Sequence, residues 1–143
     1  MAWLGGASLG VVGHGDAMHG EGFLIRISVP VRTQSELNTR GHWASRAQRF
    51  KKHRVAVRWA WRNAGVGESP KLPICVTLVR IAPRRMDDDN LAGSMKAVRD
   101  EVAACLGIDD GDPGVTWVYQ QEKGLGPGRY EVVIQVEEDR DQA

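Results

Sequence analysis

Residues 74–110 read ICVTLVRIAPRRMDDDNLAGSMKAVRDEVAACLGIDD, and the rest of the chain is organised around this stretch. Its first eight residues are typical of a strand, and the acidic run Asp87–Asp89 follows where that strand gives way to a helix. Asp89 or Asn90 is the expected N-cap, because both side chains accept bonds from the N–H groups of a first turn. Adjacent carboxylates repel one another, so a cation is expected among them, and oxygen ligands suit a hard ion such as Mg²⁺.

The spacing of apolar residues after the acidic run predicts one continuous helix with two different faces. At roughly 100° per residue, the buried face carries Leu91, Met95, Val98, Val102 and Leu106. The opposite face carries Asp89, Gly93, Lys96 and Asp100. The helix is expected to end at Gly107, a common residue type after a last turn. Asp109–Asp110 then return toward the sheet, so both acidic segments could contribute to one metal site.

Three motifs in this stretch point to one family: Asp-x-Asp-Asn-Leu at 87–91, Lys-Ala-x-x-Asp at 96–100 and Gly-Ile-Asp-Asp at 107–110. Together they resemble the signature of the RusA family of Holliday-junction resolvases. Members of that family are small, homodimeric, Mg²⁺-dependent endonucleases that cut four-way DNA junctions. The resemblance extends over residues 23–137, and its specific part is residues 84–110.

The resemblance implies a role for four residues of the stretch. Asp87, Asp89 and Asp110 would be the catalytic carboxylates and the metal ligands, and Lys96 would be the essential cation. Mg²⁺ is the expected cofactor, with Mn²⁺ as the alternative ion. In the family pattern the lysine follows the second Asp by four residues, whereas Lys96 follows Asp89 by seven, which moves it ~4–5 Å farther along the axis. Asp88 is expected to point away and to tolerate Asn.

These residue types suit the hydrolysis of a phosphodiester. Mg²⁺ held by carboxylates polarises a phosphoryl oxygen and lowers the pKa of its bound water. Lys96 would stabilise the charge that develops as water attacks. Two other classes stay open: a non-catalytic module that binds branched DNA, and a metal-dependent enzyme that acts on a phosphorylated small molecule.

A predicted helix over residues 42–64 is unusually basic. No acidic residue occurs between Glu36 and Glu68, a stretch that contains Arg40, Arg46, Arg49, Lys51, Lys52, Arg54, Arg58 and Arg62. Solvated helix faces ordinarily mix signs, so this run favours a polyanion as the partner, and the bases from Arg46 onward are expected to contact DNA. The resemblance implies that Asn38, in the preceding loop, also contacts DNA. The alternative, that Asn38 is simply a turn residue, is equally well supported.

The same helix has an apolar stripe and additional aromatic residues. Residues at helical spacing are expected to be buried: Trp43, Ala47, Phe50, Val57, Trp61 and Ala64. Val55 and Trp59 project elsewhere, where an indole could stack on an unpaired base.

Four strands are expected, at residues 23–29, 74–81, 115–123 and 129–137, with the last two joined as a hairpin. The element order is β-α-β-α-β-β. We therefore expect an α+β fold in which two helices pack on one mixed sheet, in a strand order that the sequence does not fix. Residues 1–22 are interpreted as a poorly ordered leader, residues 23–137 as one domain and residues 138–143 as a polar tail.

Composition limits the classes of protein. The chain has 143 residues, of which 42% are hydrophobic and 26% charged, as in a globular domain with its own core. Cys75 and Cys105 lack metal-ligand spacing and are interpreted as reduced core residues of an intracellular protein. The family resemblance implies a cytoplasmic protein that is bacterial or phage-encoded. No apolar run reaches the ~20 residues that span a membrane.

Overall fold

The computed structural model describes residues 25–34, 43–124, 126 and 128–139. The elements within these residues are β1 Ile25–Val29, α1 Trp43–Asn63, β2 Ile74–Ala82, α2 Asp88–Ser94, α3 Lys96–Leu106, β3 Val115–Lys123 and β4 Glu131–Glu138. The predicted α+β fold with one mixed four-stranded sheet is confirmed. The predicted leader at residues 1–22, together with Asn38 and Arg40, lies outside the described residues.

The sheet has the strand order β1-β4-β2-β3. β2 pairs in parallel with β3, from Ile74 opposite Val115 to Ala82 opposite Lys123, and β4 is antiparallel to both β2 and β1. The prediction of a hairpin between β3 and β4 is wrong, because β2 lies between them. β2 is the most deeply buried strand, and a strand that is apolar on both faces is best accommodated at the centre of a sheet.

One face of the sheet packs against the helices to form the core. Its strand residues alternate along the chain, as expected for side chains that point to one face: Ile25, Ile27, Val29, Ile74, Val76, Leu78, Val132, Ile134 and Val136. The stripe predicted on the opposing helix is confirmed, because all five of its side chains are buried in the same cluster: Leu91, Met95, Val98, Val102 and Leu106.

The helix predicted after the acidic run is divided into two at Met95. α2 ends at Ser94, and the backbone of Met95 (φ −107°, ψ 11°) leaves the helical conformation before α3 begins at Lys96. Asp89 and Lys96 therefore belong to different helices rather than to the one continuous helix predicted for them. α3 ends as predicted, with Gly107 in the left-handed region at φ 71°.

The predicted N-cap of this segment is also wrong. The cap residue is Asp87 rather than Asp89 or Asn90, and its side chain makes no capping hydrogen bond. Asp88 and Asp89 lie in the first turn of α2, where the positive end of the helix dipole favours negative charge.

α1 packs against α3 and β1 through its C-terminal part. Its buried residues are His53, Val57, Ala60 and Trp61. The predicted stripe is wrong at its N-terminal end, because Trp43 is 74% exposed and Ala47 is exposed as well. α1 has 21 residues and α3 has 11, lengths of roughly 31 Å and 16 Å at 1.5 Å per residue. The first turns of α1 thus extend past the helix against which it packs.

A buried carboxylate links α1 to α3. Glu101, 4% exposed, accepts hydrogen bonds from Arg54 Nε at 2.9 Å and from Arg58 Nε at 3.1 Å. Burial acts to raise the pKa of Glu101, but the bonds and charges of Arg58 and Arg54 outweigh it and hold that pKa below its ordinary value. The basic run of α1 contains no acidic residue, and the carboxylate that pairs with two of its arginines is Glu101 of α3.

The described chain extends slightly past the predicted end of the domain at residue 137. β4 continues to Glu138, and the buried Asp139 accepts a hydrogen bond from Thr116 Oγ1 at 2.8 Å. The remainder of the predicted tail, residues 140–143, lies outside the described residues. Cys75 and Cys105 are half-buried and form no disulfide within the described residues.

None of the helices in the described residues combines the length and the apolar character that a membrane span requires.

Candidate functional site

The first acidic segment begins where β2 ends, and it is held in place through its backbone. Arg80, buried near the end of β2, donates from Nη1 to the carbonyl oxygen of Arg84 at 2.8 Å and from Nε to Thr33 Oγ1 at 3.0 Å. Burial lowers the pKa of the Arg80 guanidinium. The loop that leads to the acidic residues is thus attached to the sheet and to the segment after β1.

A glutamine on β3 provides the second attachment of this loop. Gln121 accepts a bond from the N–H of Met86 at 3.0 Å and donates to the carbonyl oxygen of Met86 at 2.7 Å. Its amide also lies 3.4 Å from Asp88 Oδ1, which pairs with Arg85 at 3.5 Å. Asp88 therefore faces β3 rather than pointing away as predicted, although its side chain is 82% exposed. Asp87 and Asp89 are exposed as well.

The second acidic segment is held by its own carboxylate. Arg99 on α3 donates from Nε to Asp110 Oδ2 at 3.2 Å and from Nη2 to the carbonyl oxygen of Asp110 at 3.0 Å. Trp117 Nε1 donates to the same carbonyl oxygen at 2.9 Å. The Arg99 guanidinium lies 4.7 Å from the centre of a Trp117 ring, within cation–π range. Asp110 is thus fixed at its main chain and at its side chain.

Arg99 also binds Tyr119, donating from Nη1 to the phenolic oxygen at 2.9 Å. Burial acts to lower the pKa of Arg99, but the interactions with Tyr119 and Asp110 outweigh it and raise that pKa above its ordinary value. The guanidinium therefore stays charged, as a lasting partner of the Asp110 carboxylate.

Two neighbouring acids are used in turns. Asp109 Oδ1 accepts a bond from the N–H of Gly111 at 2.9 Å, and Asp112 Oδ1 accepts one from the N–H of Gly114 at 2.8 Å. Side chains that bond to the backbone two residues on stabilise tight turns. Asp109 and Asp112 therefore both serve as turn residues.

Both acidic segments contact one row of side chains on β3. Trp117, Tyr119 and Gln121 alternate along the strand and so point to the same face, about 7 Å apart at successive positions. Trp117 contacts the Asp110 segment, and Gln121 contacts the Met86–Asp88 segment. Tyr119 lies between the two, so the row joins them.

A cleft of about 520 Å³ opens beside this row, with Arg85, Asp88, Leu91, Tyr119, Gln121 and Glu122 among its lining residues. It lies between α2 and the C-terminal half of β3. Carboxylate oxygens are the donors that a hard divalent cation prefers, so the chemistry of the acidic residues fits Mg²⁺. In the part of the chain that the structure describes, no three His, Cys, Asp or Glu side chains are grouped as a metal site. The three-ligand set of Asp87, Asp89 and Asp110 stays a prediction.

Lys96, predicted to be the essential cation, begins α3 and pairs with Asp100. Its ammonium lies 3.3 Å from both carboxylate oxygens of Asp100, and its side chain is 61% exposed. Lys96 starts a new helix, because α2 ends at Ser94 and α3 begins at Lys96.

The basic residues of α1 fall into two groups. Arg54 and Arg58 share Glu101. Glu101 heads the causes that raise the pKa of Arg58, and burial raises the pKa of the neighbouring Cys105 thiol to about 11. The second group comprises Arg46, Arg49, Lys51, Lys52 and Arg62. The predicted DNA contacts of both groups stay predictions.

Comparison of the chain with models of known protein families and with curated proteins finds no match. The resemblance to the RusA family therefore rests on the three motifs between residues 87 and 110.

Sequence reasoning missed the residues that hold the two acidic segments, namely Arg80, Arg99, Trp117, Tyr119 and Gln121. One signal was present in β3, where a tyrosine and a glutamine occupy alternate positions of a strand whose inward face should be apolar. Nothing comparable marked Arg99, whose importance comes from contacts with residues 11 and 20 positions away.

Proposed function

We propose that this protein is a Mg²⁺-dependent, structure-specific endodeoxyribonuclease that resolves four-way DNA junctions, in DNA recombination and repair. The observation that carries the proposal is the attachment of both acidic segments to one row of β3, on either side of Tyr119. The basic run of α1 and the motif resemblance support it. The proposal includes a cytoplasmic location in a bacterial or phage-infected cell.

The proposed metal ligands come from both acidic segments. Asp87 and Asp89 would bind it from the exposed start of α2, and Asp110 would bind it through Oδ1, because Arg99 occupies Oδ2. A bound Mg²⁺ supplies Lewis acidity toward a phosphoryl oxygen and a water of lowered pKa. The exposure of Asp87 and Asp89 leaves them accessible to a backbone phosphate.

Charge on the protein governs how DNA is held. Lys51, Lys52 and Arg62 present exposed cations on α1, which position a phosphate backbone without reading its sequence. Lys96, at the start of α3, is the cation assigned to the negative charge that develops on the phosphate. Because Asp100 lies within 3.3 Å, that ammonium must exchange one anionic partner for another as DNA binds.

The test is cleavage by the pure protein. A synthetic four-way junction, a linear duplex of the same sequence and a single strand are incubated with Mg²⁺, with Mn²⁺ and with chelator. Paired, symmetric cuts in the junction that require the metal are expected, and Asp89→Asn should abolish them. Junction binding without cutting would instead identify a non-catalytic branched-DNA-binding module. Hydrolysis of a phosphorylated small molecule without cleavage of DNA would overturn the nuclease proposal.

The working unit is expected to be a homodimer. A four-way junction has two-fold symmetry, and its resolution needs matched cuts in two opposed strands, whereas each chain offers one pair of acidic segments. Light scattering at micromolar concentration tests this directly. A monomer that makes paired cuts would refute the symmetry argument. Binding should also weaken steeply with salt, because each neutralised phosphate releases counterions.

A further inference from the structure

The outer face of α1 carries an exposed tryptophan. Trp59 is 57% exposed, whereas Trp61, two residues later on the same helix, is 8% exposed. At roughly 100° per residue, Trp59 lies on the same side as Lys52 and Val55 and opposite the buried Val57. A single exposed apolar side chain needs no partner by itself, so the significance of this indole depends on the side chains around it.

Cations and a shallow groove surround this indole. The guanidinium of Arg62 lies 6.0 Å from the centre of a Trp59 ring. One turn toward the N-terminus, a groove of about 480 Å³ is lined by Gln48, Lys51, Lys52, Val55 and Ala56. The surface formed by Gln48, Lys51, Lys52, Val55, Trp59 and Arg62 is called the Trp59 surface below.

The charge of the Trp59 surface selects the class of partner. α1 contains no acidic residue, and Glu101 of α3 pairs with Arg54 and Arg58, which are not part of the Trp59 surface. A second copy of this surface would bring like charges together, which disfavours self-association through it. An aromatic ring between cations instead matches a ligand that alternates flat bases with phosphates, because stacking tolerates any base and the cations follow the backbone.

We propose that the Trp59 surface binds unpaired nucleotides of a DNA strand, with Trp59 stacking on a base and with Lys52 and Arg62 contacting the adjacent phosphates. This inference deepens the proposed function, from which it takes DNA as the polyanion. It adds a contact for single-stranded nucleotides, separate from the acidic residues.

The experiment measures binding of a fluorescein-labelled oligothymidylate by anisotropy, in chelator so that cleavage plays no part. Trp59→Ala should weaken binding about tenfold, whereas Trp59→Phe, which keeps an aromatic ring, should stay within about threefold of the wild type. Trp43→Ala is the matched control, because Trp43 is an exposed tryptophan of the same helix and lies outside the Trp59 surface. It should leave the affinity unchanged. Circular dichroism and urea unfolding check that each variant is folded.

Intrinsic fluorescence gives a second readout. Stacking on a base should quench the emission of the wild type, and most of that quenching should be absent in Trp59→Phe. Failure of the wild type to bind the oligonucleotide, or equal affinity of the wild type and Trp59→Ala, would overturn the proposal. Equal weakening by Trp43→Ala and Trp59→Ala would also overturn it, because the effect would then belong to the helix and not to this surface.

Two further arms identify a different occupant. Vesicles of phosphatidylserine that bind more tightly than the oligonucleotide, in a Trp59-dependent way, would replace DNA by a lipid surface. If the wild type is a dimer by light scattering and Trp59→Ala is not, the occupant of the Trp59 surface is a second copy of this chain rather than DNA. The junction-cleavage assay is run separately with Mg²⁺, so a protein that cuts junctions without Trp59-dependent binding would keep the proposed function and lose this inference.

Discussion

Asp110 and the Asp87–Asp89 run lie at the two ends of the crossover from β2 to β3, and the fold holds them in opposite ways. Arg99 binds both the carboxylate and the backbone carbonyl of Asp110. The first segment is held at the backbone of Met86, which leaves its carboxylates exposed. A carboxylate that is fixed has a defined direction before any ligand arrives, whereas an exposed one can adjust to the ligand.

Glu101 is the extreme case of a fixed carboxylate in this comparison. It is almost completely buried and has two arginines as partners, so its contribution is to the packing of α1 on α3. The degree of fixation thus rises from Asp89 through Asp110 to Glu101. Substitutions along this series should move from effects on chemistry to effects on stability.

The largest expected effect is on catalysis. Asn at Asp87, Asp89 or Asp110 should reduce junction cleavage at least about 100-fold, because each is assigned as a ligand of the catalytic metal. Junction binding should stay intact or tighten, since a negative charge is removed near DNA. Single-turnover cleavage and anisotropy measure the two quantities. Asp88→Asn is the matched control and should keep most activity, because Asp88 is not assigned as a metal ligand and its contacts with Arg85 and Gln121 are exposed. Wild-type turnover in any of the first three variants would refute the assignment of that residue.

The largest effect on stability is expected at Glu101. Glu101→Gln should lower the free energy of unfolding by about 1–3 kcal/mol, because Arg54 and Arg58 lose a charged acceptor. The folded-state pKa of Glu101 lies below its ordinary value, so the stabilisation is present above the unfolded value of about 4.3 and is lost as pH falls through the lower folded value. Urea unfolding at pH 7 and pH 3 should show a smaller difference between the two proteins at pH 3. An equal difference at both pH values would contradict the ion-pair explanation.

An intermediate effect is expected at Arg99. Arg99→Gln should cost about 1–2 kcal/mol of unfolding free energy, because three hydrogen bonds and a ring contact are lost at a partly buried position. A double-mutant cycle with Asp110→Asn should give a coupling energy of about 1 kcal/mol. Arg85→Gln is the control, since the pair of Arg85 with Asp88 is exposed and should contribute less than about 0.5 kcal/mol. If Arg99→Gln and Arg85→Gln lowered the free energy of unfolding equally, the conclusion that Asp110 is held more firmly than Asp88 would be wrong.

The smallest effect on stability is expected at Lys96. Lys96→Ala should change the free energy of unfolding by less than about 0.5 kcal/mol, because its pair with Asp100 is largely exposed. Turnover should nevertheless fall more than junction binding does, if the ammonium acts on the transition state. Parallel measurement of cleavage rate and affinity separates the two. An unchanged rate would make Lys96 a surface residue that binds Asp100 alone.

Features that depend on local periodicity were predictable from the sequence. The strand β2, the buried stripe from Leu91 to Leu106 and the end of α3 at Gly107 are all encoded by residues close along the chain. The break at Met95 was not, because the apolar stripe continues through it and masks the change of helix.

Features that depend on distant partners were not predictable. Whether β3 pairs with β4 or with β2 depends on which strand takes the centre of the sheet, and the glycine-rich connection between β3 and β4 suits a hairpin equally well. The site shows the same limit: Gln121 holds a backbone 35 residues away, and Arg99 holds a carboxylate 11 residues away. Spacing identified the acidic residues as candidates but did not show which of them the fold would hold.

The position of β3 at the edge of the sheet has a consequence for local unfolding. Among the described strands, β3 has β2 as its one neighbour. Edge strands open at lower free energy than central ones, and Trp117, Tyr119 and Gln121 would leave with β3 in a single opening event. Both acidic segments would then lose their attachments together. Hydrogen exchange of the β3 amides should therefore report the fraction of molecules in which the candidate site is assembled.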